Sequence, residues 1–233
     1  MSKQSIDKAK ELAAEKALKY IEDAKIIGVG TGSTVEKFIK KLGECREDFN
    51  NRLFIASSYD TMIKLKEYGF KVLHPLAVTT IDVYIDSADE VDRDLNMIKG
   101  GGAALTMEKI LTYYSKRKVF IVDYTKIVEW LGEKHPIPID VVPYATSMVY
   151  NYLRSRGYNV KIRYPIKGKY GPVVSDIGGV ILDIILDSPI QVEELDKKLK
   201  RVPGVIETGL FIGLADIVLC GYKDKVEVMK RRT

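Results

Sequence analysis

Residues 25–42, KIIGVGTGSTVEKFIKKL, decide the fold. The apolar start, residues 25–29, reads as a short buried strand. It runs directly into GVGTGST and then into the amphipathic run VEKFIKKL. A strand, a glycine-rich turn and a helix in that order aim the N–H groups of a helix start at an anion. The dinucleotide fingerprint GxGxxG is not met, because Ser33 stands where its last glycine belongs. A Walker A loop would need Gly-Lys-Ser/Thr, which is absent. What remains is Thr31, Gly32, Ser33 and Thr34, hydroxyls and a glycine at a helix start, and this suits a single phosphate monoester. Ser33 with Glu36 also spells a capping box, and one serine can serve both ends.

Working outward, residues 5–22 read as a helix that Ser5 can cap, with Ala9, Leu12, Ala13, Ala17 and Ile21 on a helical period. Residues 53–56 read as a strand, 61–68 as a helix that Gly69 ends, and 71–73 and 83–85 as strands. A helix over 103–114 and a strand over 119–122 follow. Ser57 and Ser58, where a strand passes into a helix, read as cap residues that can also line a cleft. Alternating strands and helices imply right-handed crossovers and a mostly parallel sheet. Ligands of such sheets sit outside the carboxyl ends of the strands. Thr31 to Thr34, Asp86, Asp89 and Lys126 all follow strands and are expected on one rim.

From Pro136 the rhythm changes. Strands at 137–142, 159–164, 180–186 and 205–211, with helices at 145–156 and 192–202, spell β-α-β-β-α-β, the ferredoxin-like order. Residues 167–176 read as a hairpin connection, and the spare apolar segment 216–220 can rejoin the first sheet. The expected fold is α/β: a Rossmann-like, mostly parallel sheet with helices on both faces (1–130 and 207–233), plus a smaller α+β ferredoxin-like domain (131–206).

The chemistry concentrates in residues 82–109, DVYIDSADEVDRDLNMIKGGGAALTMEK. A strand runs into Asp86 and Asp89, and the tight SADE turn can aim both carboxylates into one space, which would raise one pKa. Asp92 and Asp94 read as loop formers. Lys99 precedes Gly100, Gly101 and Gly102, where bare backbone can approach a ligand. Three glycines before a helix cost stability, so another requirement must hold them there. Ala104, Met107, Glu108 and Leu111 share one helical stripe. A carboxylate on an apolar stripe is desolvated and tuned towards a general base, unless it reaches solvent or pairs with Lys109.

Composition narrows the classes. The 233 residues carry a net charge of +5, which can draw in phosphorylated substrates or simply reflect a lysine-rich surface. Two histidines, His74 and His135, exclude a histidine-rich zinc site, so acid–base work falls to carboxylates and lysines. Cys45 and Cys220 form no disulfide framework or CxxC pair and read as buried thiols. No apolar run reaches the roughly 18 residues of a membrane span, and the N-terminus is too polar for a signal peptide, so a cytoplasmic protein is expected. The basic tail MKRRT is too short to support nucleic-acid binding.

GVGTGST, DSADE, MIKGGGAALTMEK and VDYTK, with GVIETGLF later, together resemble type A ribose-5-phosphate isomerases over nearly the whole chain. The resemblance implies interconversion of ribose 5-phosphate and ribulose 5-phosphate through an enediolate, without metal or cofactor, by a homodimer or homotetramer. It implies Glu108 as proton acceptor, and Lys99, Asp86 and Asp89 as its catalytic companions. Substrate contacts would come from Thr31, Gly32, Ser33, Thr34, Asp86, Ser87, Ala88, Asp89, Lys99, Gly100, Gly101, Gly102 and Lys126. Lys10 matches a basic residue of the first helix. Ser87 departs from the family's DGAD motif, where glycine is usual, and the loop 167–179 departs as well. Sugar-phosphate sensor domains share a GTGST-like loop but follow a DNA-binding unit, for which about 25 residues before the first strand are too few. The motifs of amino-sugar-phosphate deaminases are not matched.

Overall fold

The computed structural model describes residues 3–168 and 170–231. Met1, Ser2, Lys169 of the expected hairpin connection, and Arg232 and Thr233 of the basic tail lie outside the described residues. In chain order the elements begin α1 (Lys3–Leu18), β1 (Ile26–Val29), α2 (Ser33–Glu44), α3 (Arg46–Phe49), β2 (Leu53–Ala56), α4 (Tyr59–Glu67) and β3 (Lys71–Val72). Then come β4 (Ile81–Asp86), β5 (Glu90–Val91), β6 (Met97–Ile98), α5 (Leu105–Tyr113) and β7 (Ser115–Asp123). They continue with β8 (Ile137–Val141), α6 (Thr146–Ser155), β9 (Asn159–Ile162), β10 (Val180–Ile185) and α7 (Val192–Lys200). The last are β11 (Val205–Thr208), β12 (Leu210–Phe211), β13 (Ile217–Gly221) and β14 (Val226–Lys230). No helix among the described residues is long and apolar enough to cross a membrane.

The chain forms two compact units. The first takes the residues up to Ala88, Glu108–Ile127 and the residues from Gly213 on. Its sheet has the order β14-β13-β7-β4-β1-β2-β3. Every neighbouring pair is parallel except the β13–β14 hairpin. The segment at 216–220 does rejoin this sheet, pairing with β7. The core gathers Ala13 and Ala17 of α1, Phe38 and Leu42 of α2, Phe54 of β2 and Ile121 of β7. Burying each large side chain contributes about 1.5–3 kcal/mol.

α1 stops at Leu18, not at residue 22. The Tyr20 and Ile21 amides turn back onto Ala17 and Leu18, three residues earlier, and end the helix. Ile21 stays buried from the turn, which is why its helical spacing misleads. β14 and α3 have no readable apolar period: one is an edge strand with three of its five residues exposed, the other a single turn.

The second unit takes Asp89–Met107 and Val128–Ile212. Its larger sheet, β11-β8-β10-β9, is antiparallel throughout, the strand order of the β-α-β-β-α-β reading. Ile139, Leu153, Leu182, Leu195 and Leu199 fill its core. A small sheet, β12-β6-β5, draws residues 89–107 into this unit and away from the expected 1–130 domain. It also divides the expected strand 205–211. The break falls at Gly209, whose amide donates to the Pro138 carbonyl (2.6 Å) and where a Cβ would overlap the Lys99 carbonyl oxygen.

In the first unit, β1 and β4 interlock through missing side chains. Gly28 is in register with Tyr84, and a Cβ there would come within 2.6 Å of the Tyr84 ring. A Cβ on Gly30 would overlap the Asp86 carboxyl group. Overpacking of a filled core costs about 1–3 kcal/mol, and more where nothing can move. Gly30→Ala is therefore expected to lower stability by about 3 kcal/mol. Urea unfolding checks this, and an unchanged midpoint would show that the notch is not filled.

Candidate active site

Asp86 ends β4 and is fully buried. A buried carboxylate is tolerated only when donors surround it, and the chain supplies them from three places. Tyr84, two residues back on the same face of the strand, donates its hydroxyl to Oδ2 (2.6 Å). The amides of Thr31 and Ser87 donate to Oδ1 at 3.1 and 2.7 Å. One side chain thus ties the glycine-rich turn to the SADE turn. Burial, and then the charges of Asp86 and Glu108, push the Tyr84 phenol well above its ordinary range, so it stays a neutral donor.

The turn after β1 is held from the other side by hydroxyls. Thr31 Oγ1 donates to Ser58 Oγ (2.8 Å) and lies 2.9 Å from Ser57 Oγ. Thr61 Oγ1 donates to the Gly30 carbonyl (2.7 Å). Ser58 also caps α4, accepting from the Thr61 amide (3.1 Å). Gly32 precedes α2 at φ 132°, a conformation that favours glycine. The expected capping box does not form: Ser33 is the first helical residue, Gly32 takes the cap position, and no side chain caps there. Ser33 Oγ instead accepts from Lys10 Nζ (2.9 Å), and Glu36 pairs with Lys64. Thr34 is buried beneath this turn. The arrangement sets an ammonium beside the N–H groups of a helix start, which is a place for an anion.

Glu108 lies in the first turn of α5 and is 3% exposed, less than Met107 before it. The solvent-reaching alternative is excluded. Lys126 is half-buried in the turn after β7, at the same carboxyl edge as Thr31 and Asp86. Asp123 shapes that turn by accepting from the amide and hydroxyl of Thr125. Ala88 is buried where the first unit gives way to the second.

Within the second unit, Asp89, Lys99 and the glycines form their own cluster. The Asp89 amide donates to the Ile98 carbonyl, and Asp89 Oδ2 accepts from the Gly101 amide, both at 2.8 Å. Lys99 is 2% exposed, its amide bonded to the Gly209 carbonyl (2.9 Å) and its Nζ 5.4 Å from the centre of the Phe211 ring. Gly100 sits at φ 107° against Leu105 and Pro138, and Gly101 and Gly102 are exposed. Arg163 donates to the carbonyls of Gly100 (2.7 Å) and Gly101 (3.1 Å) while its fork clasps Asp183. The glycine loop is pinned at both amide and carbonyl, so a loose hinge is the wrong description.

Their hydrogen bonds give Asp86 and Asp89 separate anchoring duties, one in each unit. Sequence reasoning passed over Tyr84, Thr61 and Arg163. Tyr84 carried a signal, since residues two apart on a strand share a face with Asp86. Arg163 carried none, being 63 residues from Gly100. Among the described residues, no group of three or more His, Cys, Asp or Glu side chains is placed to hold a metal ion.

The family model described as ribose 5-phosphate isomerase A (phosphoriboisomerase A) matches residues 53–225. The ribose-5-phosphate isomerase A of Pyrococcus horikoshii is 39% identical over 232 residues, 97% of this chain and 100% of the relative. That of Methanothermobacter thermautotrophicus is 42% identical over 225 residues, 95% of this chain and 97% of its own. Among solved structures, a D-ribose-5-phosphate isomerase in complex with phospho-erythronic acid superposes with a TM-score of 0.91 at 38% identity, covering 97% of this chain and 99% of its own. Ribose 5-phosphate isomerase A of Methanocaldococcus jannaschii gives 0.90 at 36% identity, covering 97% and 100%.

The Arg163–Asp183 pair should report on the glycine loop. Arg163→Ala strands a carboxylate that is 15% exposed and is expected to cost about 3 kcal/mol, part of which Arg163→Ala with Asp183→Ala restores. A double-mutant cycle in urea should give a coupling of about 1–3 kcal/mol; strictly additive losses would separate the two side chains.

Proposed function

The chain belongs to the ribose 5-phosphate isomerase A family and interconverts D-ribose 5-phosphate and D-ribulose 5-phosphate; we propose that Glu108 moves the proton that this reaction requires. The two sugars differ by a hydrogen carried on C2 in the aldose and on C1 in the ketose. In the open-chain aldose a base removes the C2 proton, the electrons pass through a C1–C2 double bond, and O1 gains negative charge. Returning a proton to C1, with transfer of the O2 proton to O1, completes the ketose. One carboxylate can take and return the carbon-bound proton on the same face of the enediolate. The observation that carries this assignment is the burial of Glu108 in the first turn of α5. A base shielded from water keeps its proton for the substrate and is strengthened relative to a hydrated carboxylate.

Lys99, buried beside the glycine loop, answers the oxyanion that grows on the substrate. One such donor contributes about 3–4 kcal/mol to a transition state. Asp89 and the amides of Gly100 to Gly102 hold the sugar hydroxyls. Asp86, already holding three donors, acts mainly by fixing the Thr31 and Ser87 turns. Lys10, Lys126 and the amides of Gly32, Ser33 and Thr34 take the phosphate. Phospho-erythronic acid, bound by a relative, fits this chemistry: its carboxylate shares one negative charge over two oxygens, as an enediolate does.

We further place the enzyme in the cytoplasm as a homodimer or homotetramer. The nearly fully exposed Tyr144, Ile166 and Tyr170 supply apolar surface for a second copy. Light scattering reading a monomer at micromolar concentration would remove that part.

Glu108→Gln is expected to lower kcat by roughly 10²–10⁴-fold while ribose 5-phosphate still binds. Near-normal turnover in that variant would assign the proton transfer to another group. Lys10→Ala is expected to raise KM by about tenfold with a smaller change in kcat, the loss of one charge-assisted contact. Turnover should persist after dialysis against EDTA, because Lys99 supplies the positive charge; abolition restored by a divalent cation would contradict this.

A further inference from the structure

We propose that Tyr84 is a positioning residue for the isomerisation: its hydroxyl orients the Asp86 carboxylate that joins the phosphate-side turn to the Ser87 turn. The proposal rests on the reading of the Thr31 turn as the phosphate side.

The hydroxyl has no packing reason to exist. The ring is fully buried, lodged where Gly28 leaves space, with its edge towards Phe120 (centroids 6.3 Å apart, planes at 72°). Phenylalanine would fill the same space without the cost of burying a hydroxyl. That hydroxyl lies 2.6 Å from Asp86 Oδ2, while Oδ1 carries the Thr31 and Ser87 amides. Donors on both oxygens leave the carboxylate one orientation, and that orientation sets where Thr31 and Ser87 stand. Because the Gly28 notch holds the ring, the hydroxyl cannot follow Asp86 if the latter turns. The donor points from a fixed wall.

The test is Tyr84→Phe, assayed with ribose 5-phosphate at pH 8. KM should rise about three- to tenfold, with a smaller fall in kcat, because the Thr31 turn is less firmly held. A fall in kcat with KM unmoved would mean that the hydroxyl only supports the fold, and would overturn the proposal, as would wild-type kinetics. Asp86→Asn supplies an independent check, since it keeps the shape and removes the charge that the hydroxyl answers. Adding Tyr84→Phe to it should raise KM little beyond Asp86→Asn alone; additive rises would show that the hydroxyl acts by another route and would overturn the proposal. Glu108→Gln keeps the two readings apart. If it retains turnover the base assignment fails, whereas the Tyr84 effect on KM is still read in the enzyme that contains Glu108.

Discussion

The buried Asp86 carboxylate constrains everything around it. An ion taken out of water costs several kcal/mol unless its lone pairs are filled. Here a phenol and two amides fill them, from β4 itself, from the turn after β1 and from the turn after β4. Each donor makes demands in turn. Tyr84 needs the space at Gly28, the carboxyl group needs the space at Gly30, and the Thr31 amide needs a turn held by Ser57, Ser58 and Thr61. One charge thus accounts for Gly28, Gly30 and Thr31 of the first motif and for Tyr84 and Ser87 beside Asp86 in the second. Their arrangement leaves a helix start with Lys10 beside it, where negative charge is favoured.

The second unit solves a similar problem with different parts. Exposed glycine backbone fluctuates unless it is pinned. Arg163 takes the carbonyls of Gly100 and Gly101, Asp89 takes the Gly101 amide, and Gly209 admits the Lys99 carbonyl. Burying Lys99 and Glu108 reduces the stability of the fold and strengthens every electrostatic interaction they make. The cost in stability and the gain in chemistry share one cause, the exclusion of water.

The long periodic elements were legible, and so was the change of rhythm near Pro136. The parallel sheet and the β-α-β-β-α-β unit follow from apolar spacing alone, because each buries a continuous face. The residues 89–107 were not, since two-residue strands have no period to read; their move into the second unit came from pairing with Leu210 and Phe211, over a hundred residues away. The glycine turn is legible as the passage from a strand into a helix, but spacing does not show why its glycines are there. Gly28 and Gly30 make room for Tyr84 and Asp86 of a neighbouring strand, and only Gly32 has the special backbone angle. Ser33 next to Glu36 matched a local cap pattern that long-range partners, Lys10 and Lys64, overrode. The burial of Glu108 was legible because a lone carboxylate sits on an apolar stripe, a conflict with local rules.

The central claim is that one buried carboxylate serves both carbons from a single side of the enediolate. The most direct measurement is nuclear magnetic resonance of ribulose 5-phosphate formed from ribose 5-phosphate in deuterated water. Solvent deuterium should enter only one of the two C1 hydrogen positions. Equal labelling of both positions would mean that protonation occurs from either face, and a single fixed base could not then be the agent.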